Sequence, residues 1–223
     1  LFHTDAVQTP GKLKLDVKAM GVDFLSLSAH KLHAPKGIGL LYVRRGTPWQ
    51  PYVMGGGQES GRRGGTENVA QIAAFGRAAE LAMASLENDT GRIRALRDRM
   101  EAGIMSSIEG VTRNGAKEPR LLNTSNLSFS NCEAEAILLL LDREGICASS
   151  GSACTTGSLA PSHVLTAMGV SPEHALGSVR LSLSKYTTDA EVDFLLEKLP
   201  PMIAKLRGAS PRAAEPAVQS AGL

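Results

Sequence analysis

The sequence predicts an α/β fold in which short strands alternate with helices. Two observations support this: aliphatic segments at residues 22–28 and 37–45 suit strands, and Ala-, Arg- and Glu-rich stretches of helical composition follow them. After residue 110 the pattern returns to short elements, with strands predicted at 126–130, 146–148 and 179–183 and a helix at 133–144. This alternation favours parallel strand pairing in the first part of the chain.

Capping residues divide the helical part of the sequence. Thr66 is suited to begin one helix that runs to about Asn88, and Thr90 is suited to begin a second that ends at Gly110. Pro161 suits a first helical position, and Thr188 with Glu191 fits a capping box that opens the last helix. We therefore expect one domain over residues 1–88, a smaller α/β domain over 89–207, and a disordered Ala/Pro/Ser-rich tail over 208–223.

Composition limits the class of protein. The 223 residues are 43% hydrophobic and 21% charged, with a net charge of +2, which is ordinary for a globular protein. The charge balance does not favour nucleic-acid binding, and no apolar run approaches the roughly 20 residues of a membrane span. Three cysteines without a CxxC pair favour reduced thiols, and hence a cytoplasmic location, over a disulfide framework.

A lysine and an aspartate lie at the ends of neighbouring predicted strands. Lys31 follows Ser28 and His30 at the end of one apolar segment, and Asp5 ends another. Because the carboxyl ends of parallel strands meet at one sheet edge, these side chains are expected to lie close together. Pyridoxal phosphate requires such a pair, a lysine for its aldehyde and a carboxylate for its pyridine nitrogen, while Ser28 and His30 could hold its phosphate. The alternatives are that Lys31 is solvated and that Asp5 caps a turn. Likewise, Ser28 could bond only to the local backbone, and His30 could have a structural role.

The three cysteines lie in different surroundings. Cys154 lies among Ser, Gly and Thr residues at 149–158, which predicts an exposed and reactive thiol. Cys147, within a predicted strand, is expected in the core, and nothing near Cys132 suggests activation.

Other sequence patterns give weaker evidence for a functional site. The Gly-rich segment 55–65 lacks the ending of a phosphate-binding Walker loop, and His30 with His33 lacks a third ligand, so no metal site is predicted. Four arginines predict a solvated helix face: Arg92, Arg94, Arg97 and Arg99.

Four segments together resemble one enzyme family. HTDAVQ (3–8), SAHKLHAPKGIG (28–39), RRGGTEN (62–68) and SSGSACTTGS (149–158) are similar, in order and rough separation, to the cysteine desulfurases, which are fold-type I pyridoxal-phosphate enzymes. The resemblance covers residues 1–207 and is strongest to the nitrogen-fixation type. It implies an aspartate-aminotransferase-like fold of which this chain is the C-terminal part, comprising the remainder of the large domain and a small α/β domain. We accordingly expect that upstream sequence is missing.

The resemblance also implies roles for individual residues. Asp5 would pair with the pyridine nitrogen, Gln8 with the phenolic oxygen, and Ser28 and His30 with the phosphate. Lys31 would form the Schiff base and, with His30 and Cys154, would be catalytic. Thr66 would reach the phosphate in the neighbouring subunit of a homodimer. Arg180 would bind the substrate carboxylate, for which a planar guanidinium is suited; the alternative is a surface arginine on a strand.

The implied activity is conversion of L-cysteine to L-alanine, with the sulfur held as a persulfide on Cys154. The sulfur would pass to a scaffold protein for iron-sulfur cluster assembly, which is the only link to metal binding, and nitrogenase is the expected destination. Two alternatives stay open: an inactive fragment that retains scaffold or acceptor binding, and an enzyme similar to selenocysteine lyase. Because the family's first half supplies further cofactor contacts, we expect this chain alone to bind pyridoxal phosphate poorly.

Overall fold

The computed structural model describes residues 1–150 and 161–209, which form two compact units. Unit 1 is Leu1–Gly91 and unit 2 begins at Arg92. The predicted tail beyond residue 209 lies outside the described residues. None of the described helices is both long enough and apolar enough to cross a membrane.

Unit 1 contains a three-stranded sheet in the order β1-β2-β3. Its strands are β1 (His3–Asp5), β2 (Phe24–Ser28) and β3 (Gly39–Val43), and its short helices are α1 (Val17–Met20) and α2 (Gln58–Gly61). Strand β1 pairs with β2 in parallel, as predicted, but β3 runs antiparallel to β2. The parallel prediction is wrong for β3 because the connection between Ser28 and Gly39 is too short for a crossover, which needs a dozen or more residues.

One long helix replaces the two that were predicted. Helix α3 runs without interruption from Val69 to Ser107 and so extends from unit 1 into unit 2. Thr90 does not cap a helix, because its hydroxyl donates to the carbonyl of Glu87 within the same helix at 3.2 Å. Thr66 precedes the helix, and the side chain of Asn68 accepts from the backbone N–H of Gln71 at 3.4 Å instead.

Unit 2 is built on a four-stranded sheet in the order β4-β5-β7-β6, in which every described pairing is antiparallel. Its strands are β4 (Val111–Arg113), β5 (Thr124–Phe129), β6 (Ser149–Ser150) and β7 (Ser178–Ser182). The helices that follow α3 are α4 (Ala134–Arg143), α5 (His163–Ala167), α6 (Pro172–Leu176) and α7 (Asp189–Ala209). The predicted strand at 146–148 is displaced to β6, and Pro161 lies two residues before α5 rather than at its first position.

Strand alternation gives the unit 2 sheet one apolar and one polar face. Leu127 and Phe129 of β5 and Val179 and Leu181 of β7 are buried in a core that also includes residues of α3, α4 and α7. The intervening positions carry polar side chains on the opposite face. The predicted capping box is confirmed at the start of α7: Thr188 N–H donates to Glu191 Oε2 at 2.7 Å, and Glu191 N–H donates to Thr188 Oγ1 at 3.3 Å.

The predicted solvated arginine face is wrong for Arg97, whose side chain is fully buried. Its guanidinium donates to the Asp98 carboxylate at 2.8 Å, to the Glu118 carboxylate at 3.1 Å and to the Leu121 carbonyl. Arginine composition predicts a helix but does not show which arginine meets a carboxylate from the following loop. Burial is possible here because two acidic groups and a carbonyl satisfy the guanidinium.

Candidate functional site

The parallel pairing of β1 and β2 brings Asp5 to the same sheet edge as the segment that carries Lys31. Asp5 is the last residue of β1 and lies opposite Ser26 of β2. Its carboxylate is exposed, and Oδ1 accepts from the backbone N–H of Val7 at 2.9 Å. Asp5 therefore caps a turn, as the alternative interpretation held, and none of the described residues bonds to Oδ2. A carboxylate oriented by a turn can still accept from a ligand.

Lys31 lies on a short 3₁₀ turn, Ala29–Leu32, that follows β2 directly. His33 ends this turn in a left-handed conformation, with φ of 63°, and its N–H donates to the carbonyl of Ala29. The buried Ala29 and Leu32 pack against Phe75 and Ala82 of α3, which fixes the backbone on both sides of Lys31. The lysine side chain is half-buried rather than fully solvated.

Ser28 and His30 lie beside an open concavity of about 450 Å³, lined by Ser28, His30, Lys36, Gly37, Ile38 and Gly39. Ser28 Oγ and His30 Nδ1 are 2.7 Å apart, so the two side chains form one polar pair. A side chain at Gly39 would place its Cβ 2.9 Å from the carbonyl of Leu27, so this wall stays backbone only. Hydroxyl, imidazole and ammonium groups around an open concavity suit a phosphate.

Sequence reasoning missed two lysines near these groups. Lys36 lines the concavity with Ser28 and His30. Its position just before the predicted second strand is the sequence feature that could have identified it. Lys12 is half-buried, and burial, together with the positive charge of Lys31, lowers the pKa of Lys12. This charge interaction with Lys31 was not apparent from the separation of the two lysines in the sequence.

The remaining predicted site residues of unit 1 do not line the concavity. Asp5, Gln8 and Lys31 are not among its lining residues, and Gln8 is exposed. Thr66 is exposed at the end of the Gly-rich segment, where Gly64 N–H donates to the Val53 carbonyl at 2.9 Å. The roles of Gln8 and Thr66 stay predictions.

In unit 2, Arg180 occupies the centre of the polar sheet face. It lies on β7 directly opposite Asn126 of β5 and Ser149 of β6. The side chain is half-buried, and Nη2 donates to Ser149 Oγ at 3.3 Å. Within residues 1–150 and 161–209, no carboxylate forms an ion pair with it. A half-buried guanidinium without an acidic partner is suited to an external anion.

The cysteine predictions have three different outcomes. Cys154 lies outside the described residues, so its predicted reactivity stays a prediction. Cys147 is exposed, and its predicted burial is wrong: its neighbours Ile146 and Ala148 pack against the core, while its own side chain faces solvent. Cys132 is half-buried, and burial raises the pKa of its thiol despite the nearby Arg207 guanidinium.

The residues at the unit 1 sheet edge fit pyridoxal phosphate. A half-buried lysine, a carboxylate on the adjacent strand, and a serine–histidine pair at an open concavity supply each type of group that this cofactor needs. The described residues contain no cluster of three or more His, Cys, Asp or Glu side chains suited to a metal ion.

Comparisons with known proteins give a family match and several similar proteins. Residues 1–195 match the family described as aminotransferase class-V. The chain is 55% identical over 211 residues to cysteine desulfurase 2 of Trichormus variabilis, covering 95% of this chain and 53% of the relative. It is 52% identical to the cysteine desulfurase NifS of Azotobacter vinelandii, covering 95% of this chain and 52% of the relative. The chain thus spans about half the length of the curated relatives that it matches.

Solved structures show the same relationship. A NifS-like protein aligns with a TM-score of 0.83 at 39% identity, covering 91% of this chain and 52% of that protein. A NifS-like protein from Rickettsia africae also aligns with a TM-score of 0.83, at 34% identity, covering 91% of this chain and 53% of the other. The described fold is therefore that of fold-type I pyridoxal-phosphate enzymes.

Proposed function

Because this chain belongs to the class-V aminotransferase family, we propose that the complete polypeptide is a cysteine desulfurase that converts L-cysteine to L-alanine. Pyridoxal phosphate is the cofactor of the family's cysteine desulfurases. The observation that carries the proposal is the position of Lys31 one turn beyond Ser28, at the sheet edge that the parallel pairing of β1 and β2 shares with Asp5. The names of the relatives support the choice of cysteine desulfurase over other activities of the family.

Each residue of unit 1 has a distinct task in this proposal. Lys31 would hold the cofactor through its amine, and the same amine would accept and return a proton at the substrate Cα. Asp5 accepts from the protonated pyridine nitrogen, and Gln8 donates to the phenolic oxygen. Ser28 and His30, already 2.7 Å apart, donate to the phosphate. Bound pyridoxal phosphate supplies the electron sink for bond changes at the substrate carbon.

The substrate is held and attacked by residues of the second half of the chain. Arg180 binds the substrate carboxylate through its guanidinium, which has no acidic partner among the described residues. The Cys154 thiolate attacks the substrate sulfur, so that a sulfur–sulfur bond forms and the bond between Cβ and sulfur breaks. The electron pair of the broken bond passes to the carbon side, a proton from water completes the methyl group at Cβ, alanine leaves, and Cys154 retains a persulfide.

Partners and location complete the proposal. We place the enzyme in the cytoplasm as a homodimer in which Thr66 reaches the phosphate of the neighbouring subunit. The persulfide sulfur passes to an iron-sulfur scaffold protein, with nitrogenase as the destination. The similarity of the HKLHAPKG and SGSACTTGSLAPSHV segments to nitrogen-fixation desulfurases supports this destination.

The test is reduction of the cofactor adduct with borohydride followed by mass mapping. In the complete polypeptide we expect a reducible absorbance band and a mass adduct on Lys31, both lost in Lys31→Ala and kept in the exposed control Lys14→Ala. An adduct on the neighbouring Lys12 would contradict the assignment. In the present chain alone we expect a weak band, and strong stoichiometric absorbance would contradict that expectation.

Turnover separates the remaining alternatives. We expect alanine and persulfide from L-cysteine, with persulfide lost in Cys154→Ser. Preferred turnover of L-selenocysteine would support the selenocysteine lyase alternative instead. An adduct on Lys31 without any turnover would support a non-catalytic role.

A further inference from the structure

The polar face of the unit 2 sheet holds a row of three side chains across three strands. Strand register places Asn126, Arg180 and Ser149 directly opposite one another on β5, β7 and β6. Directly opposite residues of antiparallel strands project to the same face, with Cβ atoms about 4.5–5.5 Å apart. Asn126 and Arg180 are both half-buried, so each is partly shielded from water while one side remains accessible.

A chain of hydrogen bonds determines which way the Asn126 amide points. It starts at the backbone carbonyl of His174, which can only accept. Ser178 Oγ donates to this carbonyl at 2.8 Å, which uses its single proton. Ser128 Oγ lies 2.7 Å from Ser178 Oγ and must therefore donate to it. Both serines are buried, at 0% and 1% exposure, so no solvent competes for these protons.

The same logic continues to Asn126. Because Ser128 has used its proton, it accepts from the Asn114 side chain at 2.8 Å, and the Asn114 atom there must be the nitrogen. This nitrogen also lies 3.1 Å from Ser178 Oγ, and its second proton meets Asn126 at 2.6 Å. The Asn126 atom that accepts must be the carbonyl oxygen. Its amide nitrogen therefore points the other way, and none of the described residues accepts from it.

We propose that Asn126 is a substrate-binding residue, whose amide N–H donates to the substrate carboxylate beside the Arg180 guanidinium. The inference rests on the proposed function, which supplies the carboxylate. Arg180 neutralises the charge, while Asn126 adds a directional donor that the buried serines orient before the substrate arrives. An amide held in place by its own hydrogen bonds loses little conformational freedom on binding.

The variant that tests this is Asn126→Asp. It keeps the shape of the side chain and an oxygen that accepts from Asn114, and replaces only the outward N–H group by a negative oxygen. The probes are 3-mercaptopropionate, which has the carboxylate and thiol of cysteine without the amine, and cysteamine, which has the thiol and amine without the carboxylate. Binding is measured by calorimetry on the complete polypeptide loaded with pyridoxal phosphate.

We expect Asn126→Asp to weaken 3-mercaptopropionate binding roughly tenfold to a hundredfold, the usual effect of losing a hydrogen bond to a charged group. Cysteamine binding should change by less than about twofold, because it presents no carboxylate. Ser178→Ala, which removes the fixed end of the hydrogen-bond chain, should weaken 3-mercaptopropionate to a smaller degree. The control Asn131→Asp, an exposed position just beyond β5, should affect neither probe.

Two results would overturn the inference: unchanged 3-mercaptopropionate affinity in Asn126→Asp, or equal weakening of both probes, which would indicate a packing role. Arg180→Gln distinguishes failure of the inference from failure of the proposed function. If Arg180→Gln weakens 3-mercaptopropionate and Asn126→Asp does not, only the inference about Asn126 fails. If Arg180→Gln also has no effect, the carboxylate site of the proposed function is wrong.

Discussion

The two units differ most in how much apolar core they contain. Among the described residues, unit 2 has a cluster of 16 buried apolar residues, whereas unit 1 has two clusters of four and three. In β3 of unit 1, Leu40 is 47% exposed and Leu41 is 49% exposed. Neighbouring residues of a strand face opposite sides, so neither face of this strand is fully covered within the chain. We therefore expect unit 2 to hold most of the stability, while the residues proposed to bind the cofactor lie in the less stable unit.

A matched pair of buried phenylalanines tests this difference directly. Phe129 of unit 2 is 1% exposed within the large cluster, and Phe75 of unit 1 is 8% exposed within the cluster of four. We expect Phe129→Ala to lower the free energy of unfolding by about 3–5 kcal/mol, because a packed core leaves a cavity. Phe75→Ala should lower the free energy of unfolding by clearly less, because the smaller cluster around Phe75 can relax into the space that the side chain leaves.

The measurement is denaturant unfolding of the chain followed by far-ultraviolet circular dichroism. Each variant is compared with the wild type at the same protein concentration. A larger loss for Phe75→Ala than for Phe129→Ala would reverse the ranking of the two units.

Ion pairs give a second test of the difference between the two units, with a somewhat smaller expected effect on stability. Glu101 is 5% exposed and binds Arg113 at 2.9 Å, Arg120 at 2.8 Å and Ser125 at 2.6 Å. The corresponding pair in unit 1, Asp23 with Arg44, is 3.6 Å apart and more exposed. Glu101→Ala, which leaves two arginines unpaired, should cost about 3 kcal/mol. Asp23→Ala should cost less than about 1 kcal/mol from its ion pair.

Glu101 should also give unit 2 a sensitivity to acid. Burial raises the pKa of Glu101, but hydrogen bonds from Ser125, Arg113 and Arg120 outweigh it and hold the pKa below its ordinary value. Because the folded pKa lies below the unfolded one, the stabilisation is complete above the ordinary glutamate range and is lost as pH falls through the lowered pKa. Unfolding measured between about pH 6 and pH 3 should show a steeper loss in wild type than in Glu101→Gln. The exposed control Glu109→Gln should follow the wild type, and parallel curves for all three proteins would contradict the assignment.

The smallest effect concerns the two threonines that were both predicted to cap helices. Thr188 makes reciprocal bonds with Glu191 in unit 2, whereas Thr66 of unit 1 is exposed and precedes its helix by three residues. Thr188→Ala should cost about 1 kcal/mol, as for other N-caps. Thr66→Ala should leave the stability of the chain unchanged within about 0.5 kcal/mol. If Thr66→Ala lowers the free energy of unfolding by about 1 kcal/mol or more, Thr66 does cap the helix.

Sequence patterns within one segment correctly predicted the elements that depend on that segment alone. The strands at β2, β3, β5 and β7 and the helix α4 appear within about two residues of their expected bounds, because alternation and composition are read within a single segment. The α7 capping box was predictable for the same reason, since both of its partners lie within four residues.

Predictions failed where a distant partner decided the outcome. Arg97 is buried because Glu118, 21 residues away, reaches its guanidinium. The division of α3 at Thr90 was wrong for a local reason instead, because a threonine hydroxyl can bond inside a helix as well as cap one. In the site, Lys31, Ser28 and Asp5 could be proposed from strand ends. The orientation of Asn126 could not, because it depends on Ser178 and His174 on other elements.

The outward position of Cys147 affects any experiment that counts reactive thiols. An alkylating reagent reaches an exposed thiol without any catalytic activation, so we expect Cys147 to contribute to the labelling stoichiometry in addition to the predicted reactive thiol of Cys154. Cys132, with its raised pKa, contributes more slowly at neutral pH. A labelling trace will therefore contain several kinetic phases, and its fast phase belongs to Cys154 only in a background where Cys147 has been replaced by serine.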